Sequence, residues 1–284
     1  MVSRVIRHSS WPGHNRRAAE ASRLGLIASP EAEKRLEQMA IEDSSVRVRI
    51  VAARGLGKTG TPQAAETLIS MLAPADLVPE GIVASALLEI GPDAVPALRR
   101  AVRAGDGQAL PGPGGPAAEA AGPPAGGRRR AMAADLLGLL DAMPAWEELV
   151  ACIHSPDKAV RVNAVRALGR LGVPQAAGAI IRCLAPDDDA EVRAVAAHAL
   201  GRIGDPRSVG PLVTCLGDAD YWVAHNAAAA LAALGSPGRQ ALARAAAVNA
   251  AGAPHAREAL AAARLPVPEA ELATPSGGEG GRKP

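Results

Sequence analysis

RVNAVRALGRLGVPQAAGAIIRCL, residues 161–184, decides the fold, because the chain repeats it. RIVAARGLGKTGTPQAAETLISML (49–72) and RAVAAHALGRIGDPRSVGPLVTCL (193–216) align with it without a gap. The shared skeleton is an Arg, an Ala-rich helix, Leu-Gly-x-x-Gly, a Pro, and a second helix ending in Leu. Self-similarity at a fixed period is the mark of a stacked repeat. The Leu of the Leu-Gly element serves as a ruler. It falls at Leu24, Leu56, Leu87, Leu137, Leu168, Leu200 and Leu231, at spacings of 32, 31, 50, 31, 32 and 31. One spacing breaks the period, by 19 residues. That excess coincides with Gly105–Gly127, where 13 of 23 residues are Gly or Pro, a composition that does not hold a helix.

Each unit has a physical logic. In the sixth, Asp189 is placed to cap a first helix. Val192, Ala196, Ala199, Leu200 and Ile203 follow at helical spacing and form an apolar face. Gly204 ends the helix, where a left-handed residue is wanted. Pro206 starts a second helix, where its missing N–H costs nothing. Val209, Leu212, Val213 and Leu216 make the second stripe. Neither helix buries its stripe alone, so neighbouring units must stack.

Composition agrees. Hydrophobic residues are 48% of 284, yet there is no Phe, one Tyr and three Trp. The apolar content is mostly Ala, Leu and Val, which favours helices that approach closely. The predicted fold is all-α, a right-handed α–α superhelix of about seven helical hairpins. A net charge of +2 gives no whole-protein attraction to nucleic acid or anionic lipid. Residues 1–20 lack the apolar run of a secretory signal. The longest stretch without Asp, Glu, Lys or Arg, Tyr221–Gly238, contains His225, Asn226 and Pro237 and does not read as a membrane span.

The domain map that follows has a disordered N-terminus (1–13) and units one to three (14–104). A flexible insertion (105–127) separates them from units four to seven (128–253). A capping helix (254–265) and a disordered tail (266–284) complete it.

The 31–32-residue period resembles the short HEAT-like repeats named after phycobilisome lyases. The matching residues are the Val-Arg starts (Val48-Arg49, Val160-Arg161, Val192-Arg193), the Ala-Leu-Gly elements (Ala167–Gly169, Ala199–Gly201) and the Gly-x-Pro turns (Gly60–Pro62, Gly172–Pro174, Gly204–Pro206). The resemblance covers roughly residues 14–250 and is specific for architecture. It implies a ladder of hydrogen bonds between units, built on Asp157, Arg161, Asp189 and Arg193, with the lone Asp220 at the same repeat position.

The period absorbs most candidates for chemistry. Cys152, Cys183 and Cys215 are 31 and 32 apart, so they occupy one equivalent place late in successive second helices. Stacked helices sit about 8–10 Å apart, too far for a disulfide or a shared metal, and buried reduced thiols are expected. Six histidines show no His-x-x-x-His or Glu-x-x-His spacing and no His-Glu pair of the kind that HEAT-like iron hydroxylases carry. Gly55-Leu-Gly-Lys58-Thr59 suggests a phosphate loop, but position 52 is Ala where that loop needs Gly. No catalytic residue, metal or cofactor is expected.

Two exposed rows remain. Arg54, Lys58, Arg166, Arg170 and Arg202 flank the Leu-Gly element, followed after the insertion by Arg128, Arg129 and Arg130. The first-helix row is expected on the convex side, where nearby acids offset it. Gln63, Glu66, Ser70, Glu147, Gln175, Arg182, Arg207 and Thr214 project from second helices, the row expected to line the concave groove. The function read from these features is a monomeric scaffold binding a protein partner along that groove. It has no catalysis of its own, no nucleic-acid partner and no membrane segment, and it is cytoplasmic unless an upstream anchor is missing. The alternatives are a bilin lyase-like enzyme or chaperone, which wants aromatic walls, and a HEAT-like nucleic-acid binder. The second wants a basic concave face with Trp and a nearby Asp, for which Trp146 and Trp222 are the candidates.

Overall fold

A computed structural model describes residues 13–27, 29–72, 78–104, 124–186, 189–248 and 251–263. These residues form seven helical hairpins and a final helix, with no strand among them. The hairpins are α1 (His14–Leu24) with α2 (Pro30–Glu42), α3 (Val46–Thr59) with α4 (Pro62–Ser70), and α5 (Glu80–Ile90) with α6 (Val95–Arg103). Then come α7 (Pro124–Leu139) with α8 (Trp146–Cys152), α9 (Lys158–Leu171) with α10 (Ala177–Arg182), α11 (Ala190–Ile203) with α12 (Val209–Cys215), and α13 (Tyr221–Ala233) with α14 (Gly235–Ala247). The last helix is α15 (Ala253–Ala262). All seven ruler leucines are fully buried, each worth about 1.5–3 kcal/mol of burial. They join one continuous core running the length of the stack.

The local signals act as the sequence implies. Asp157, Asp189 and Asp220 each accept a backbone N–H in the first turn of α9, α11 and α13. Gly60, Gly172 and Gly204 end α3, α9 and α11 with φ of 70°, 63° and 77°, the left-handed conformation that glycine adopts without strain. Pro206 differs slightly from expectation: it opens a 3₁₀ turn, Pro206–Ser208, and the second helix proper starts at Val209. The would-be phosphate loop is the last turn of α3, closed by Gly60.

Glu80–Arg103 is apolar enough by composition to pass for a membrane span. Gly91 (φ 73°) and Pro92 break it into α5 and α6, whose apolar sides, Val83, Leu87 and Ile90 and then Leu98 and Val102, are buried in the stack.

Two boundaries differ from the sequence map. The capping helix is Ala253–Ala262, and α7 begins at Pro124, so Gly126 and Gly127 are helical where a loop to residue 127 is expected. The cause is tertiary. A Cβ on Gly127 would sit 2.0 Å from the Asp157 carboxylate, so glycine lets α7 pass beside the cap of α9. The rest of the insertion (105–123), the start (1–12) and the tail (266–284) lie outside the described residues.

Curvature follows from the Leu-Gly element. Gly57, Gly138, Gly169 and Gly201 each face the alanine before the next unit's ruler leucine. A Cβ on these glycines would lie 2.7–2.9 Å from the Cα of Ala86, Ala167, Ala199 and Ala230. First helices therefore meet backbone to backbone. Second helices meet through Leu149, Ile180, Leu212 and Leu242 and touch only sparsely, which sets the usual 8–10 Å spacing. A stack whose one layer has the shorter repeat distance bends towards that layer. The first helices therefore lie on the concave side. This reverses the expectation that placed Arg54, Lys58, Arg166, Arg170 and Arg202 on the convex side and the second-helix row in the groove.

The backbone lock is absent at one joint. Between units three and four the paired small positions are taken by Leu88 and Leu136, and α5 touches α7 only lightly. The long insertion enters the chain at this joint. There α6 packs on α7, Arg99 and Arg103 both bond Glu148 of α8, and Arg130 Nε donates to the Val102 carbonyl at 3.2 Å.

The ladder between units exists, with a different acid. Arg17 of α1 makes a two-bond pair with Asp43 (2.8 and 2.9 Å), and Arg193 of α11 does the same with Asp218 (2.9 and 3.0 Å). Both acids sit two residues before the next first helix's cap, where a carboxylate oxygen also accepts the N–H of Ser45 or Asp220. Arg49 adds a bond to the Asp43 carbonyl, and Arg161 one to the Ser155 carbonyl. Of the four expected ladder residues, Arg161 and Arg193 are thus rungs. Asp157 is a cap, and Asp189 is a cap that also pairs with Lys158 of the preceding unit at 3.7 Å.

These pairs set an acid limit. The Arg17 and Arg193 guanidiniums hold the Asp43 and Asp218 carboxyls below their ordinary range, against opposing burial. For Glu148 burial pushes the other way most strongly, and the bonds from Arg103 and Arg99 outweigh it, so its pKa is also lowered. A carboxylate whose folded pKa is depressed adds stability above its unfolded pKa and loses it as pH falls through the folded one. Melting temperature is expected to be flat from about pH 8 to 5 and to drop below about pH 4. Asp218→Asn is expected to flatten part of that drop in a thermal-melt series.

Candidate functional site

The concave layer carries a row of clefts between successive first helices. Their walls are the positions that the Val-Arg-x-x-Ala-Ala-x-Ala-Leu-Gly-x pattern leaves exposed. Near the start, Ser22, Arg54, Lys58, Ser85 and Glu89 line a cleft of about 340 Å³ across α1, α3 and α5. Next, Glu80, Arg128, Asp135, Asp157 and Asn163 line one of about 340 Å³ across α5, α7 and α9. A third, of about 310 Å³, gathers Arg166, Arg170, Val195, His198, Arg202 and Asn226 from α9, α11 and α13. The fourth, also about 310 Å³, shares Val195 and Asn226 with it and adds Ala190, Glu191, Ala194, Asp220 and Trp222. The last two form one continuous trough.

The charges in the trough are only partly committed. Arg170 pairs with Asp135 at 2.6 Å, and Arg128 with Glu80 at 3.3 Å. Arg166 bonds the Asn163 amide oxygen at 2.6 Å, and Arg202 Nε donates to the Gly169 carbonyl at 3.1 Å. Neither Arg166 nor Arg202 has a carboxylate partner among the described residues. Asn226 is fixed by its bond to the Ala194 carbonyl at 2.9 Å.

The trough ends on aromatic residues. Tyr221 and Trp222 are 53% and 63% exposed, a large apolar exposure for a chain with only four Tyr and Trp in all. Their rings meet edge to face at 5.4 Å. Tyr221 stacks on His225 at 5.5 Å and touches His255 of α15 at 5.4 Å. The capping Asp220 fixes where the pair leaves the turn.

The second-helix row is not gathered into a groove. Gln63, Glu147 and Gln175 are exposed singly. Glu66 pairs with Arg100, and Arg207 with its neighbour Asp205 at 2.6 Å. The hydroxyls of Ser70 and Thr214 and the Arg182 guanidinium turn back onto carbonyls of their own helices. Arg182 and Thr214 share a wide, mostly apolar hollow of about 800 Å³ between the ends of α10 and α12, with Leu184, Pro211 and Cys215.

Cys152, Cys183 and Cys215 are thiols, 1%, 4% and 5% exposed. Burial pushes the Cys215 thiol upward, away from the reactive thiolate. A thiol reagent is expected to label none of the three quickly in the native protein and all three after denaturation. Fast labelling of one would show that a second helix opens locally. Among the described residues no three His, Cys, Asp or Glu side chains converge as a metal site.

Reading the sequence missed His198 and Asn226 as groove residues and gave Trp222 only to one alternative. The signal was present. The Gly and Ala positions of the first helices mark the close-packed layer, and that layer is the concave one.

The HEAT-repeat family matches over residues 4–88, 127–200 and 179–264. No curated protein matches in sequence. Among solved structures, the complex of CpcE and CpcF of phycocyanin lyase from Nostoc is 20% identical, covering 93% of this chain and 94% of that one at a TM-score of 0.40. A variant of Kap121p is 13% identical with a TM-score of 0.61, over 91% of this chain and 32% of that one. Human deoxyhypusine hydroxylase is 18% identical, covering 93% and 94% at a TM-score of 0.36. The repeats in the sequence, the stacked hairpins and the family match together place this chain in the HEAT-repeat family.

Proposed function

We propose that this protein is a non-catalytic cytoplasmic scaffold that holds a protein partner along the concave trough of its first helices. One observation carries the reading: an exposed Tyr221–Trp222 pair sits on the concave face. Exposed aromatic anchors beside half-buried polar walls are the usual source of binding energy at protein interfaces. A nucleic-acid backbone is a poorer occupant. The basic clefts at Arg54/Lys58 and Arg166/Arg202 are interrupted by one holding Glu80, Asp135 and Asp157 and followed by one holding Glu191 and Asp220. A phosphate chain would meet negative charge at every second step.

The test is affinity capture from the native cell with three baits. A partner held by the wild-type chain is expected to be lost with Trp222→Ala and Tyr221→Ala together. It is expected to be retained when the second-helix row is reversed at Glu66, Arg182 and Arg207. Loss only with the second-helix variants would move the site to the convex layer, and capture indifferent to both would end the scaffold reading.

A further inference from the structure

We infer that the trough takes an acidic segment of a partner protein, with carboxylates against Arg166 and Arg202 and an apolar side chain against Trp222. This rests on the scaffold reading and names the partner's chemistry.

The argument is charge complementarity over a short length. Arg166 and Arg202 converge on one cleft from α9 and α11. Each is held by one neutral acceptor and has guanidinium donors left over. A guanidinium presents five N–H groups in a planar fork that fits a carboxylate with two bonds. His198, exposed on α11 between them, adds a third group, and the Asn226 amide lines the wall. The adjoining cleft is apolar at Ala190, Ala194 and Val195 and is closed by the Trp222 ring. One side chain of Leu or Phe size fits there.

The acids on either side fix the length of the acidic stretch. Glu191 and Asp220 flank the aromatic end, and Asp135 and Asp157 the other. Two or so consecutive carboxylates are attracted, and a longer polyanion is repelled at both ends. A short acidic stretch followed by an apolar residue satisfies both halves of the trough.

The experiment uses the purified full chain and a synthetic peptide of about a dozen residues carrying a short Glu run and one Leu. Its Gln counterpart and a single-stranded DNA of similar length are the comparisons. Binding is read by tryptophan fluorescence, with Trp222→Phe identifying the reporting ring, and by salt titration. The acidic peptide is expected to bind and to shift the Trp222 signal. Its affinity is expected to fall about tenfold or more with Arg166→Glu or Arg202→Gln, and by a similar factor when Glu is replaced by Gln in the peptide. Arg54→Glu and Lys58→Glu, in the other basic cleft, are expected to leave it unchanged. Unaltered melting temperatures in the variants exclude a folding defect. Equal binding of the Gln peptide, tighter binding of the DNA, or insensitivity to Arg166 and Arg202 would each overturn the inference. If the peptide fails while native capture still depends on Trp222, the acidic chemistry is wrong and the scaffold reading stands. If both fail, the trough is not the site.

Discussion

Gly169→Ala is expected to destabilise this protein, although alanine is the better helix former by about 1 kcal/mol. The new Cβ would lie 2.7 Å from the Cβ of Ala199 and 2.8 Å from its Cα. The second of these is backbone and cannot rotate away. Relief requires α9 and α11 to separate, and the seam continues through Gly201 and Ala230 into α13. Gly169→Val deepens the clash, and overpacking of this kind costs about 3 kcal/mol or more. At about 2–4 °C per kcal/mol for a chain of this class, thermal circular dichroism should show a melting temperature lower by roughly 6–12 °C. Gly178→Ala and Gly210→Ala supply the control. Both glycines lie in second helices, and nothing stands within 4 Å of the place an added methyl would take. These changes should therefore raise stability by up to about 1 kcal/mol. Ala199→Gly placed with Gly169→Ala should recover most of the loss. If Gly169→Ala stabilises as the controls do, the first helices are not in backbone contact and the assignment of the concave side fails with them.

Asp218→Ala is expected to cost about 3 kcal/mol, the low end for breaking a largely buried ion pair. The Arg193 and Asp218 side chains are only 12% and 14% exposed. Asp218 also holds the turn that precedes α13, through the Asp220 N–H. Removing it leaves a guanidinium away from water and loosens the turn that presents Tyr221 and Trp222. Urea unfolding should show the lower midpoint, and the Trp222 emission should broaden before global unfolding. Arg193→Met with Asp218→Leu, which removes both charges and keeps the volume, is expected to lose less than either single change to Ala. A double change as costly as the sum of the singles would show that the two residues do not act as a pair.

The sequence alone determined the repeat, its period of 31–32 and the place of its interruption, because each unit repeats its own caps and stripes. Asp189, Gly204 and the ruler leucines do locally what their residue types favour, whatever lies around them. The ladder was half legible. Arg193 repeats and could be picked out, whereas its acid stands as Asp43, Ser155 and Asp218 at equivalent turns, so no single letter marks the position.

Tertiary structure decided which layer is concave, and with it the site. The Leu-Gly pair reads as a helix element in sequence. Only the approach of Gly169 to Ala199 and of Gly201 to Ala230 shows that it shortens the spacing of the first helices. Helical periodicity specifies what is exposed on one helix. The direction in which a stack bends depends on the distance between helices, which is set by pairs of residues about thirty positions apart. That is why Arg166, Arg202 and Trp222 could be named as exposed from the sequence, and why only the packing of α9, α11 and α13 places them in one trough.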